Sequence, residues 1–158
     1  MEIRELGEGD LELLERELPS PHHGRRAARH EDGTATFLVA WLGERAAGYL
    51  LIRWDGADEE VVHRQLGSFP ELNAVTVAPE LQSRGIGTAL IEEAERRVAG
   101  RGFPRVGLAV GVDNPRARGF YERLGYRRWE HGTLEVSWPV PGEDRRESET
   151  CVYLTKEL

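Results

Sequence analysis

The chain has 158 residues, 39% of them hydrophobic, a size that favours one domain able to bury roughly 70% of its unfolded surface without staples. Its 21 basic and 28 acidic residues leave a net charge of −7, which argues against a general nucleic-acid binder, whose phosphate contacts need a basic surplus, and mildly favours cationic partners. The single cysteine, Cys151, excludes an intrachain disulfide and a cysteine-based metal cage.

In chain order, residues 2–6 read as a first strand. The stretch "EGDLELLEREL" puts apolar residues at 11, 13, 14 and 18, a helical spacing with Asp10 as its N-cap, ended by Pro19 and Pro21. "HHGRRAARHEDG" reads as a short second helix in a mobile polar segment. Its histidines, His22, His23 and His30, lack an accompanying ligand pattern, so no metal is expected. "TATFLVAWLGERAAGYLLIRW" is two strands about a Gly43-Glu44 turn. Residues 55–70, "DGADEEVVHRQLGSFP", read as a long loop, with His63 either solvated or holding substrate. "ELNAVTV" is the next strand, and from Thr88 a helix places Ala89, Leu90, Ala94 and Val98 on one side.

"RVGLAVGVD" is a further strand, and Asn114-Pro115 opens the helix "PRARGFYERL", which Gly125 closes. "RRWEHGTLEVSW" and "ETCVYLTK" are two last strands, with residues 138–149 expected as a polar connection that shapes a pocket. Trp129 and Trp138 stand at odd spacing, which predicts opposite faces, and Cys151 alternates as a small core or edge residue. The order βααβββαβαββ is mixed α/β in one domain over 1–158. The longest apolar runs, "FLVAWL" and "AAGYLLI", are too short to span a bilayer, and no basic and apolar leader is apparent. A cytoplasmic protein without a membrane partner is expected, and the last strands offer an edge for pairing in a homodimer.

Between strand and helix lies Gln82-Ser83-Arg84-Gly85-Ile86-Gly87, a glycine turn suited to phosphate. A P-loop needs a lysine after its second glycine, but Gly87 is followed by Thr88-Ala89. A dinucleotide fingerprint needs a third glycine, where Leu90 stands instead. A third reading is a turn whose free amides, at a helix N-terminus, hold a pyrophosphate, and a purely structural glycine turn fits the same residues at this point. Gly85 and Gly87 let the backbone approach closely, and Gln82 and Arg84 bring donors to the rim.

Downstream, Asn114 is followed by Ala117, Tyr121-Glu122 and Gly125-Tyr126. Together "VTVAPELQSRGIGTALI" and "NPRARGFYERLGY" closely resemble the GCN5-related N-acetyltransferase (GNAT) family, with its Q/R-x-x-G-x-G and N-x-x-A-x-x-x-Y-E-x-x-G-[FY] patterns. The resemblance implies a mixed, mostly antiparallel, strongly twisted sheet of six to seven strands flanked by about four helices, with a splayed pair of central strands. It implies acetyl-CoA as cosubstrate and no metal. Val75, Thr76 and Val77 match the strand along the pantetheine arm, and Ser83, Arg84, Gly85, Ile86, Gly87 and Thr88 match the pyrophosphate loop. Asn114 matches a contact to the cofactor arm, and equally suits a helix N-cap. Tyr121 matches the tyrosine that acts as general acid at the thioester sulfur.

The family uses a carboxylate base whose position varies. Glu71, alternating onto the face of Asn73, Val75 and Val77, is the first candidate, with Glu135 and His131 as fallbacks. The implied reaction is direct acetyl transfer from acetyl-CoA to a primary amine, either a small cationic molecule such as a polyamine or a protein amino group. A non-catalytic acyl-CoA-binding module and an acyltransferase for longer chains stay open at this point.

Overall fold

The computed structural model describes residues 1–158. The chain runs β1 (Glu2–Glu5), α1 (Asp10–Glu17), α2 (His23–Glu31), β2 (Ala35–Leu42), β3 (Arg45–Arg53), α3 (Glu60–Leu66), β4 (Glu71–Val77), α4 (Ile86–Gly100), β5 (Arg105–Gly111), α5 (Pro115–Arg123), β6 (Arg127–Pro139) and β7 (Arg146–Glu157). The strands form one seven-stranded sheet in the order β1-β2-β3-β4-β5-β7-β6. Every neighbouring pair is antiparallel except β4 and β5, and α4 provides the crossover that a parallel pair requires. No helix is long and apolar enough to cross a membrane.

Both faces of the central strands are covered, which is why β2 and β3 read as near-continuous apolar runs. Phe37, Val39 and Trp41 pack with Leu14 and Tyr49 on one side. Leu38, Ala40, Leu50 and Ile52 pack on the other with Leu90, Ile91, Ala94 and Val98 of α4. A third cluster joins Val62 of α3 to Phe69, Trp129, Leu134, Cys151 and Tyr153.

Several local expectations need correction. The 55–70 stretch is not a continuous loop, because Glu60–Leu66 form α3. Its buried Val62 is too short a pattern to announce itself, and the fold therefore has five helices rather than about four. Asp10 does not cap α1. Its carboxylate takes the Gly7 amide at 2.7 Å and pairs with Arg4, tying β1 to the helix start. The helix after the glycine turn starts at Ile86, two residues before Thr88. The connection expected over 138–149 shrinks to 140–145, since β6 and β7 pair out to Pro139 and Arg146. Those outer rungs are mostly exposed, so no buried face marks them in the sequence. Trp129 and Trp138 share a face after all. The ladder slips between Arg128 and Thr133, which brings Trp129 against Leu134, on the side where Val136 and Trp138 follow by alternation.

The segment around α2 is anchored rather than mobile. His23 is fully buried, with Nε2 2.6 Å from the Leu18 carbonyl. His30 donates from Nε2 to the Leu6 carbonyl at 3.0 Å and accepts the Phe37 amide on Nδ1 at 3.2 Å. His30→Ala leaves both backbone groups without a partner, and urea unfolding is expected to show a loss of roughly 1–3 kcal/mol.

Candidate active site

The parallel register of β4 and β5 consists of the single pair Glu71–Gly107. Beyond it the two strands separate. The cause lies in β4, where Thr76 opposes Tyr49 but Asn73 opposes Leu51. One extra residue is thus inserted, and Ala74 takes it up at a left-handed φ of 58°. The bulge overturns the expected alternation. Glu71 and Asn73 lie on the face of their partners Arg53 and Leu51, whereas Val75 and Val77 pack with the α4 side of the core.

On the α4 side a cleft of about 540 Å³ runs between β4, the glycine turn and α5. The turn is built for an anion. Gly85 sits at φ 83° as the N-cap and offers no side-chain cap, and the first bond of the helix runs from the Ala89 amide to the Gly85 carbonyl at 3.0 Å. No amide from Ser83 to Thr88 donates to an acceptor in the chain, so these N–H groups and the helix dipole point at the cleft mouth. The two glycines serve different needs. A Cβ on Gly85 would touch nothing, so its positive φ is what requires glycine. A Cβ on Gly87 would meet the Phe120 ring at 3.3 Å, so close approach requires it there. Buried Ile86 anchors the turn to the core.

The other expected residues divide. Val75, Val77, Gln82, Ser83, Thr88, Asn114 and Tyr121 line this cleft. Thr76 does not, because its side chain is on the opposite face and bonds the Ala74 carbonyl at 2.9 Å. Arg84 is exposed at the rim without lining the cleft. Asn114 caps α5, its Oδ1 accepting the Ala117 amide at 3.2 Å, which leaves its amide nitrogen free to donate. Tyr121 stacks edge-on against Phe120 and Tyr126. Its hydroxyl makes no hydrogen bond within the chain, and burial pushes its pKa up to about 12. It is a neutral donor at any working pH. Arg116 and Arg123 also line the cleft. Sequence reasoning missed them because an arginine bias across the whole chain hides local meaning.

On the opposite face a second cleft of about 770 Å³ lies among α2, β3, β4 and β6. Glu71 and Asn73 form part of its floor, next to Ala74. Glu71 is 6% exposed, accepts from Tyr153 Oη at 2.9 Å and from Asn73 Nδ2 at 2.9 Å. Burial pushes its pKa up to about 7, although the hydrogen bonds from Asn73 and Tyr153 act the other way. Gly107 makes the Tyr153 bond possible, since a Cβ there would lie 2.7 Å from Phe69 and 2.8 Å from the Tyr153 ring. The sequence showed Tyr153 only as one apolar step in "TCVYL".

The remaining candidates stand elsewhere. Glu135 is exposed and bonded by Thr150, and exposed His131 packs its ring against Trp129; neither lines the two clefts. His63 closes its own loop, donating to the Ala57 carbonyl at 2.6 Å with Ser68 on its other nitrogen. Trp138 does line the second cleft, while Trp129 is buried in the core. Cys151 is buried, and burial and Glu149 push its thiol up to about 12, far from a nucleophile. The acids of the 55–60 stretch are partly committed, since Asp55 and Asp58 both clasp Arg53. Gly87→Ala is expected to displace Phe120 and weaken binding of a pyrophosphate-bearing ligand in this cleft about tenfold or more, roughly 1.4 kcal/mol, by calorimetry.

The whole chain superposes on Chaetomium thermophilum Naa20 in complex with a bisubstrate analogue, with a TM-score of 0.74 and 22% identity over 100% of this chain and 87% of that one. It also matches a ribosomal-protein-alanine N-acetyltransferase from Brucella melitensis, with a TM-score of 0.68 and 21% identity over 100% of both chains. A chimera of the Vibrio cholerae spermidine N-acetyltransferase SpeG and hSSAT gives 0.70 and 18% identity over 99% of this chain and 94% of that one. These likenesses establish the fold. The acetyltransferase (GNAT) family profile matches residues 3–126, which span the glycine turn, the β4 bulge and the Tyr121 helix, and so the chain belongs to the GNAT acetyltransferase family, whose cosubstrate is acetyl-CoA.

Proposed function

We propose that the protein is an N-acetyltransferase that moves the acetyl group of acetyl-CoA directly onto an amine. The observation that carries this reading is the bulge at Ala74, which gives one strand two walls. Val75 and Val77 face the anion-binding cleft, while Glu71 and Asn73 face the second cleft. A thioester laid along β4 from the first cleft and an amine entering from the second meet where the strand changes face. Orientation of this kind supplies much of the rate in a transfer between two bound molecules.

In this reading the amides from Ser83 to Thr88 hold the pyrophosphate, with Gln82 and Arg84 at the rim. The main chain of Val75, Thr76 and Val77 takes the pantetheine arm, and Asn114 donates to it. Glu71 accepts the ammonium proton of the acceptor. The amine lone pair then forms the N–C bond, the carbonyl oxygen takes up negative charge against strand amides, and the C–S bond breaks as the intermediate collapses, the nitrogen passing its remaining surplus proton to the departing sulfur directly or through water. Tyr121 meets the sulfur. Because its pKa of about 12 lies above the roughly 8.5 of a thiol, complete proton transfer from it is uphill. Its contribution is a hydrogen bond to the developing thiolate.

Thiol release from acetyl-CoA by purified protein, across a panel of amines and amino-terminal peptides, tests the assignment. Amine-dependent release supports it, and its absence with acetyl-CoA still bound contradicts it. Tyr121→Phe is expected to lower kcat by about 10²-fold, the scale of one lost donor to a developing anion, with little change in acetyl-CoA affinity. The acid limb of kcat/KM follows from Glu71. Below its pKa of about 7 the carboxyl is protonated and accepts no proton, so the rate falls about tenfold per pH unit. Glu71→Gln is expected to abolish that limb along with most of the activity.

A further inference from the structure

The charged groups of the second cleft are sorted by position, and their arrangement says what an acceptor must carry. Three arginines of α2 line it: Arg25, Arg26 and Arg29. None has a carboxylate within salt-bridge distance, whereas Arg53 on the neighbouring strand is held by Asp55 at 3.0 Å and Asp58 at 2.9 Å. Arg26 is nevertheless occupied. Its guanidinium lies over the Tyr49 ring, 5.4 Å from the centroid, and reaches Ser20 and His23. Arg25 has only a 3.4 Å approach to His22, and the Arg29 guanidinium has no hydrogen-bond partner in the chain. Arg146 is turned onto Ser137, and Glu147 is paired with Arg145.

Two unpaired guanidinium groups, one turn apart on one helix, stand close enough to repel. Burial and then the nearby charges of Arg29 and Arg26 hold Arg25 below its ordinary pKa, opposed in part by Asp58. In a chain of net charge −7 such a cluster is not a byproduct of general basicity. The acids at the β4 end cancel it only in part. Asp58 is bonded to Arg53 and also acts on Arg25 and Arg29, while Glu59 and Glu71 are both shifted toward their neutral forms, chiefly by burial. The cleft is thus polar along its length, with carboxyl groups beside Ala74 and free guanidinium groups along α2. Its volume of about 770 Å³ suits a ligand of drug size.

We propose that the acceptor is an amine that also carries a carboxylate, its amine directed to Glu71 and its carboxylate bound by the forked donors of Arg25 and Arg29. This deepens the transferase reading above and rests on the second cleft being the acceptor site. A polyamine, with cations at both ends, would place one of them against the arginines.

The test compares glutamate and the peptide Ala-Glu-Glu with their fully amidated counterparts, glutamic diamide and Ala-Gln-Gln amide, which carry no carboxylate, and with spermidine, in thiol-release kinetics on the full chain. The acidic acceptors are expected to exceed their amides by about tenfold or more in kcat/KM. The glutamate arm separates a free amino acid from a peptide end as the source of the carboxylate. The double variant Arg25→Gln, Arg29→Gln is expected to raise KM for the acidic acceptor about tenfold or more, with kcat and the KM of the amide little changed. A preference for spermidine, or equal loss for acid and amide, overturns the inference while leaving the transferase reading intact. If no acceptor drives release, the transferase reading fails. Calorimetry with N-acetylglutamate then decides the subsite: binding lost in the double variant upholds it, and no binding to the unaltered protein refutes it.

Discussion

One inserted residue organises this molecule. At Ala74 the strand β4 takes a left-handed φ of 58°, which costs an L-residue roughly 1–2 kcal/mol and persists only because both flanking stretches are locked into the β3 ladder. The insertion reverses which face each following side chain meets and coincides with the parting of β4 from β5. A regular strand would have kept pairing with β5 and sealed the gap. It would also have turned Glu71 and Val77 toward the same side. The bulge instead gives the sheet two clefts with a common wall, and the proposed transfer between two bound substrates rests on that arrangement.

The buried carboxyl of Glu71 is the second feature that a purely structural fold would avoid. An isolated carboxylate in an apolar site is expensive, and such a group relieves the cost by shifting its pKa. Here the protonated form's contribution to stability is fully present below the ordinary carboxylate pKa and is lost as pH climbs through about 7. Tyr153 and Asn73 limit the shift, and Gly107 gives up its side chain to admit the tyrosine. Three strands thus converge on one carboxyl. Tuning of that kind clusters at functional sites.

Much of this was legible in the residues. Alternation and helical spacing placed the seven strands and four of the helices, because those elements bury one face or both. The glycine turn and the Asn114–Tyr126 stretch were legible because each residue there answers a local demand: positive φ at Gly85, close approach at Gly87, capping at Asn114. What stayed hidden depended on contacts distant in sequence. The face of Val75 relative to Glu71 turns on an insertion that only the β3 register reveals, and the shared face of Trp129 and Trp138 turns on a similar slip against β7. The partner of Glu71 lies on a strand far downstream. The role of α2 was masked because His23 and His30 are spent on backbone groups of other elements and its arginines look like an ordinary solvated face until a cleft is seen beneath them.

The measurement that bears most directly on this account is a crystal structure with acetyl-CoA bound. The expected result has the pyrophosphate on the amides of Ser83 to Thr88, the sulfur near Tyr121, and the acetyl carbonyl at the Ala74 bulge, open to the cleft of Glu71 and Arg29. An acetyl group enclosed on the α4 side, with β4 closed between it and Glu71, would contradict the claim that the two clefts form one active site.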